Sequence, residues 1–143
     1  MTGVTGPTGP TVTANNIQVV NGTPQTKTPG QLLNLGPSPN IQNGSAITYN
    51  GSDTITLAPN QIYQACYSVT AVTNSTGQVF VGLAGVGGSG SSANGLVPGT
   101  ILTLSNCSLV NSNVNPTLSL RYGAAAGGAT SFNSVEINVV KLQ

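Results

Sequence analysis

The chain has 143 residues and a formal net charge of +1, and Lys27, Arg121, Lys141, Asp53 and Glu136 are its whole charged set. Charged residues make up 3% of the sequence, where about 25% is usual, so the basic footprint that holds nucleic acid or an acidic membrane surface is missing. No apolar run approaches the roughly 18 residues that a membrane span needs. Length gives one domain with a short appendage. Disordered chains are typically highly charged and poor in β-branched residues, and this chain is neither, so it reads as folded under a surface of Asn, Ser, Thr, Gln and Gly.

The first eleven residues place glycine at 3, 6 and 9, in Gly3-Val4-Thr5, Gly6-Pro7-Thr8 and Gly9-Pro10-Thr11. Glycine at every third position with proline between is the pattern of a collagen triple helix, whose crowded axis admits only a hydrogen side chain. A short tract of this composition is also compatible with a flexible linker. On the collagen reading, residues 1–14 are the end of a stalk and its transition, and 15–143 form a knob that trimerises with it. A tract starting in mid-repeat implies more triplets upstream.

Ile17 to Val20 reads as a first strand, ended by Asn21-Gly22. Pro24 to Gly30 reads as loop, and Gln31 to Leu35 as a short apolar piece. Ala46–Tyr49 and Asp53–Leu57 flank Asn50-Gly51-Ser52, a strong hairpin signal. Gln61 to Thr73 is the longest strand, and its period-two alternation turns Tyr63, Ala65, Tyr67, Val69 and Ala71 inward. Gln78 to Ala84 carries apolar residues at both phases, including Phe80, and reads as buried on both faces. Gly85 to Gly95 reads as a flexible Gly/Ser loop. Thr100 to Leu109 alternates through Ile101, Thr103, Ser105 and Cys107. Pro116–Tyr122 and Ser134–Leu142 complete the set, carrying Leu118 and Leu120, then Val135, Ile137 and Val139. No segment has a helical period, and eight to ten short strands with frequent turns mean an all-β sandwich or barrel.

Little in the sequence supports catalysis or metal binding. Histidine is absent, which removes Ser-His-Asp and Cys-His arrangements within one chain. Asp53 and Glu136 would have to meet to act as an acid–base pair. Asp53 with Asn50 and Ser52 is too thin a set for calcium and is better explained by the hairpin. Gly85 to Gly90 lacks the Lys-Ser/Thr of a phosphate loop. The expectation is therefore no enzyme, no metal and no cofactor. Cys66 and Cys107 could close one bridge or be two buried thiols; free thiols are slightly favoured, because a domain this long needs no staple.

The collagen-like tract running into a small β-domain resembles the BclA-type collagen-like exosporium glycoproteins of bacterial spores. So do Leu57-Ala58-Pro59-Asn60-Gln61-Ile62-Tyr63 leading into Tyr67-Ser68-Val69-Thr70-Ala71-Val72, and the closing Val135-Glu136-Ile137-Asn138-Val139-Val140-Lys141-Leu142. Gln61-Ile62 stands where that family usually has Gly and an aromatic residue, which leaves the subfamily open. The resemblance implies a tumour-necrosis-factor-like jelly roll that forms a homotrimer on the outermost spore layer. It also implies O-linked sugars on the triplet threonines, by position Thr5, Thr8 and Thr11. The function expected is a structural cap that nucleates and registers a collagen-like filament, with a basal spore-layer anchor reached through the upstream sequence. Assembly is assigned to the inward strand faces: Tyr63, Tyr67, Val69, Leu118, Leu120, Val135, Ile137 and Val139. The alternatives are an adhesin head that binds a host protein or glycan, and a phage tail-fibre tip. For adhesion, Tyr49, Tyr122 and Phe132 near turns are the aromatic candidates.

Overall fold

The structure is a computed structural model that describes residues 15–124 and 128–142. The glycine triplets, with Thr5, Thr8 and Thr11, lie outside the described residues.

Twelve strands occur among the described residues: β1 Asn16–Asn21, β2 Gln25–Lys27, β3 Ile41–Asn43, β4 Ile47–Tyr49, β5 Ile55–Leu57 and β6 Ile62–Thr73, followed by β7 Gly77–Leu83, β8 Ser91–Gly95, β9 Ile101–Asn111, β10 Thr117–Leu118, β11 Leu120–Ala124 and β12 Thr130–Lys141. One layer is a sheet in the order β3-β1-β12-β6-β9, with β2 pairing the start of β12. The other consists of the sheets β10-β5-β4 and β11-β7-β8. Only Ser119 separates β10 from β11, so the chain itself joins those two halves. All the pairings are antiparallel.

The long central strands set the layers. β6 alternates buried and solvent-facing residues along its length, and its inward row of Tyr63, Ala65, Tyr67, Val69 and Ala71 is buried throughout. β12 follows it antiparallel, pairing Val135 with Val69, Ile137 with Tyr67 and Val139 with Ala65. A bulge at Asn133 shifts the register between Phe132 and Ser134. The extra residue lets Phe132 and Val135, three apart, both face inward, which strict alternation forbids. Val79, Val81, Leu118, Leu120 and Tyr122 from the opposing layer close the core. Burying a side chain of this size contributes roughly 1.5–3 kcal/mol.

The β4–β5 hairpin forms around Asn50, whose Oδ1 accepts the N–H groups of Ser52, Asp53 and Thr54. Gly51 supplies a positive φ of 80°, a conformation glycine adopts without steric cost. Asp53 Oδ1 accepts from Asn50 Nδ2 and the Thr54 hydroxyl. Asn50 Oδ1 and Asp53 Oδ1 are thus both engaged within the turn.

Several expectations are corrected. Cys66 and Cys107 are joined in a disulfide, not held as two thiols. The reason is register: β6 and β9 place the two residues directly opposite one another, with Cα atoms 4.0 Å apart. The stretch 85–95 is not loop throughout, because Ser91–Gly95 pairs with β7 as β8. Gln25–Lys27, expected as loop, pairs with Thr130–Phe132. The alternation read for β9 is present, and the structure sets its phase: the face bearing Ile101, Thr103, Ser105 and Cys107 points away from the core, while Leu102, Leu104 and Val110 are buried.

The disulfide closes a 41-residue separation that contains β7 and β8. Cross-links of this kind stabilise by about 2–4 kcal/mol, mainly by restricting the unfolded chain. A Cys66→Ser/Cys107→Ser chain is expected to lose stability of that order in urea unfolding, and adding a reductant to the parent should reproduce the loss.

Candidate functional site

The eight residues assigned to assembly all lie inside the sandwich of one chain. Tyr63, Tyr67, Val69, Leu118, Leu120, Val135, Ile137 and Val139 are each buried there. Their packing is within the chain, so a surface available to a partner has to be sought on the outward faces.

The tyrosines pin the segments between strands. The Tyr67 hydroxyl crosses the core from β6 to the backbone carbonyls of Val81, 2.7 Å away, and Ser89, 2.8 Å away. Tyr63 reaches the carbonyls of Ala46 and Ala58 at the two ends of the β4–β5 hairpin. Tyr122 donates to Gly128 or exchanges a hydrogen bond with the Thr130 hydroxyl, and its ring meets Phe132 edge-on at 5.2 Å. Tyr49 donates to the Gly36 carbonyl. Of the aromatic candidates for adhesion, Tyr122 and Phe132 are therefore core residues, and Tyr49 is half-buried.

Phe80 is the most exposed aromatic side chain, at 40% exposure, although its apolar neighbours predicted burial on both faces. The reason lies in the glycines around it. Gly123 on β11 is paired with Phe80, and Gly82 follows two residues along β7 on the same face. Gly90 approaches Gly82 just before β8, and a Cβ at Gly82 would lie 3.2 Å from the Gly90 Cα. A Cβ at Gly90 would lie 2.2 Å from Phe80 Cε2 and Cζ, and one at Gly123 would lie 3.1 Å from Cδ1. The ring lies across a bed that any other residue would fill, and it covers strand positions that glycine alone leaves poorly packed.

This bed is the floor of a surface cleft of about 430 Å³, walled by the turn from Ala84 to Gly90 and by Arg121. Arg121 sits on β11 opposite Gly82. Among the described residues no carboxylate lines the cleft. The turn, expected to be flexible, is tied down from three sides. Ser89 is buried, and its hydroxyl accepts the Leu83 N–H and donates to the Val86 carbonyl at 2.7 Å. The Asn106 side chain on β9 donates to the Gly90 and Gly88 carbonyls, and Tyr67 holds Ser89 from below. The spacing of Phe80 and Gly82 was visible in the sequence. That Gly90 and Gly123 join them is a fact of strand pairing.

The second notable surface is the outward face of the sheet β3-β1-β12-β6-β9. Its middle is polar, with Glu136, Ser68 and Ser105 in one row across three strands. Glu136 accepts hydrogen bonds from Asn138 and Gln18, and these hold its carboxyl below the usual range. Asp53, on the β4–β5 turn, bonds a different set of partners. The ends of this face are apolar. Val140 and Leu109, 42% and 68% exposed, flank Gln64 in one row. At the other end Ile101, 70% exposed, stands beside Val72. Among the described residues no three His, Cys, Asp or Glu side chains gather to hold a metal ion.

No family model matches the sequence, and no curated protein does. Solved structures do resemble it. The globular domain of zebrafish complement 1qA superposes with a TM-score of 0.64 at 7% identity, covering 90% of this chain and 98% of that one. Eiger TNF from S. frugiperda gives 0.68 at 10% identity, covering 90% and 92%. The PRD1 vertex protein P5 gives 0.55 at 16% identity, covering 92% and 99%. The fold is a TNF- and C1q-like jelly roll. Within this jelly roll the cleft lies on the layer opposite the β3-β1-β12-β6-β9 sheet, so its floor and the apolar-ended face point in different directions.

Burial pushes the Tyr67 phenol up to about 12, whereas an unfolded tyrosine ionises near 10. The neutral phenol is therefore favoured in the folded state, and its contribution is complete below pH about 10 and lost as pH rises towards about 12. Tyr49, pushed up to about 12 by burial and by Asp53, acts in the same direction. Urea unfolding from pH 8 to 12 should show stability falling over that window. A Tyr67→Phe chain should be less stable by about 1–3 kcal/mol at pH 8, the cost of buried acceptors left unpaired, and should show a shallower alkaline fall.

Proposed function

We propose that the chain is the non-enzymatic globular cap of a collagen-like filament, acting as a homotrimer at the outer surface of a bacterial spore. The observation that carries the reading is the outward face of the β3-β1-β12-β6-β9 sheet. Leu109, Val140 and Ile101 stand exposed there at the two ends of a surface that carries Glu136 in its middle row. Covering exposed apolar groups at both ends of a face is favourable, and the Ser, Asn and Gln side chains between them can be covered by a like surface where their hydrogen bonds are remade. The glycine triplets end at Thr11 and β1 of that same sheet starts at Asn16, so association through the sheet would gather three tracts.

Gathering the tracts is the mechanism. The first turns of a cooperative helix are costly to form, and a collagen helix also requires its three chains in register. Holding three starts side by side replaces a three-body encounter with an intramolecular one at high effective concentration. In that setting Thr5, Thr8 and Thr11 are the positions for O-linked sugars. The tip of a phage fibre is the second reading, and it draws on the fold likeness to the PRD1 vertex protein. Immunolabelling of intact spores separates the two.

Light scattering behind a sizing column is expected to give a species near three times 14.2 kDa. A Leu109→Asp chain should keep its β circular dichroism and elute at the mass of one chain. A parent chain that is monomeric at micromolar concentration would overturn the proposal.

A further inference from the structure

We propose that the Phe80–Arg121 cleft is a carbohydrate-binding subsite for an acidic sugar, which lays its apolar ring face on Phe80 and sets its carboxylate on Arg121. The cleft lies on the layer opposite the face proposed for trimer contact, so the two proposals rest on different surfaces.

Three observations converge on this ligand. The first is the platform. Glycine weakens a strand because it has no side chain to pack, yet Gly82 on β7 and Gly123 on β11 join Gly90, just before β8, beneath one ring. Alanine at these positions would cover the sheet and lift the ring. Glycine instead lets it lie down along the strands, with a face left to solvent. An exposed flat aromatic surface suits a planar or ring-shaped partner with C–H groups on one side.

The second observation is charge. Arg121 is one of three lysines and arginines in the chain, and among the described residues no carboxylate lines the cleft beside it. A guanidinium presents a planar fork of donors that a carboxylate meets with two parallel hydrogen bonds. In a protein with so few charges, that cation is the strongest local determinant of what the cleft accepts.

The third is order and size. Sites for small ligands are largely preformed and span roughly 300–1,000 Å³, and this cleft of about 430 Å³ falls in that range. Ser89, Tyr67 and Asn106 fix the turn that walls it. A neutral apolar ligand would leave Arg121 without a partner, and a small inorganic anion would leave the Phe80 face uncovered. A uronic acid or a similar acidic sugar satisfies both.

The test is a titration of the full chain with methyl β-glucuronide, followed by amide shifts in nitrogen–proton correlation spectra. Methyl β-glucoside and acetate serve as comparison ligands. Shifts from the glucuronide should concentrate at Gly82, Gly88, Gly90, Arg121 and Gly123, and the glucuronide should bind more tightly than either comparison ligand. Arg121→Gln should weaken binding by about tenfold, the loss expected for one charge-assisted bond. Phe80→Ala should weaken it comparably. Because that change uncovers the glycines, Gly123→Ala, which pushes on the ring while retaining it, provides a second variant and should also weaken the glucuronide. Equal binding of acetate and glucuronide would reduce the site to an anion contact and overturn the sugar assignment. Equal binding of glucoside and glucuronide would overturn the role of Arg121. Shifts confined to other faces, or none at millimolar ligand, would overturn the site.

Discussion

A phenol buried in an apolar core must find a partner for its hydroxyl, and this jelly roll is built around that requirement. The chain has no tryptophan and only two phenylalanines, so tyrosines supply much of the large volume inside. Each hydroxyl is directed to a backbone carbonyl in a segment between strands. The core and the loops are thereby coupled: filling the interior also fixes the ends of the sandwich. Polar groups that would be a liability in hydrocarbon become the means by which loops rich in Gly, Ser and Ala acquire defined positions.

The coupling explains how a surface with so few charges supports both an ordered cleft and an apolar-ended face. The turn at Ala84–Gly90 has few side chains with which to order itself. It is held by Tyr67 from the opposite layer, by its own buried Ser89 and by Asn106 on the edge strand β9. The disulfide between β6 and β9 ties that edge strand to the centre of its sheet. Phe80 then rests on glycines contributed by β7, β11 and the start of the β8 region. The edge of one sheet thus braces the loop at the margin of the other.

The parts of the fold that were legible in the sequence are those with their own hydrophobic period. The alternation of β6, the hairpin at Asn50-Gly51 and the closing strand were readable because side-chain pattern and pairing agree there. β8, Ser91–Gly95, was not, because its Ser, Asn and Gly carry no apolar rhythm and its extended form depends on β7. The phase of β9 was obscured because Ile101 and Leu109, both strongly apolar, face out while Asn106 faces the loop. The disulfide depended on the alignment of two strands separated by the whole β7–β8 excursion, which composition does not reveal. The cleft was hidden for the same reason. Its glycines come from three places in the chain, and only the register of β11 against β7 gathers them under Phe80. The tyrosine, valine and leucine rows were correctly located as inward-facing, and the structure puts that interior within a single chain.

Asn15 stands just before β1, its carbonyl accepts the Lys141 N–H at 2.9 Å, and β1 then runs antiparallel to β12 over six residues. A pull applied at Asn15 along the strand axis, with the far end of the sandwich held, loads these hydrogen bonds side by side. They would have to fail together and not one after another. β3 on the other flank shares the load over three further residue pairs. Resistance to such a pull is set by the unfolding barrier more than by equilibrium stability. The geometry of the first strand therefore sets such a pull against a whole ladder of bonds at once, not against its end pair.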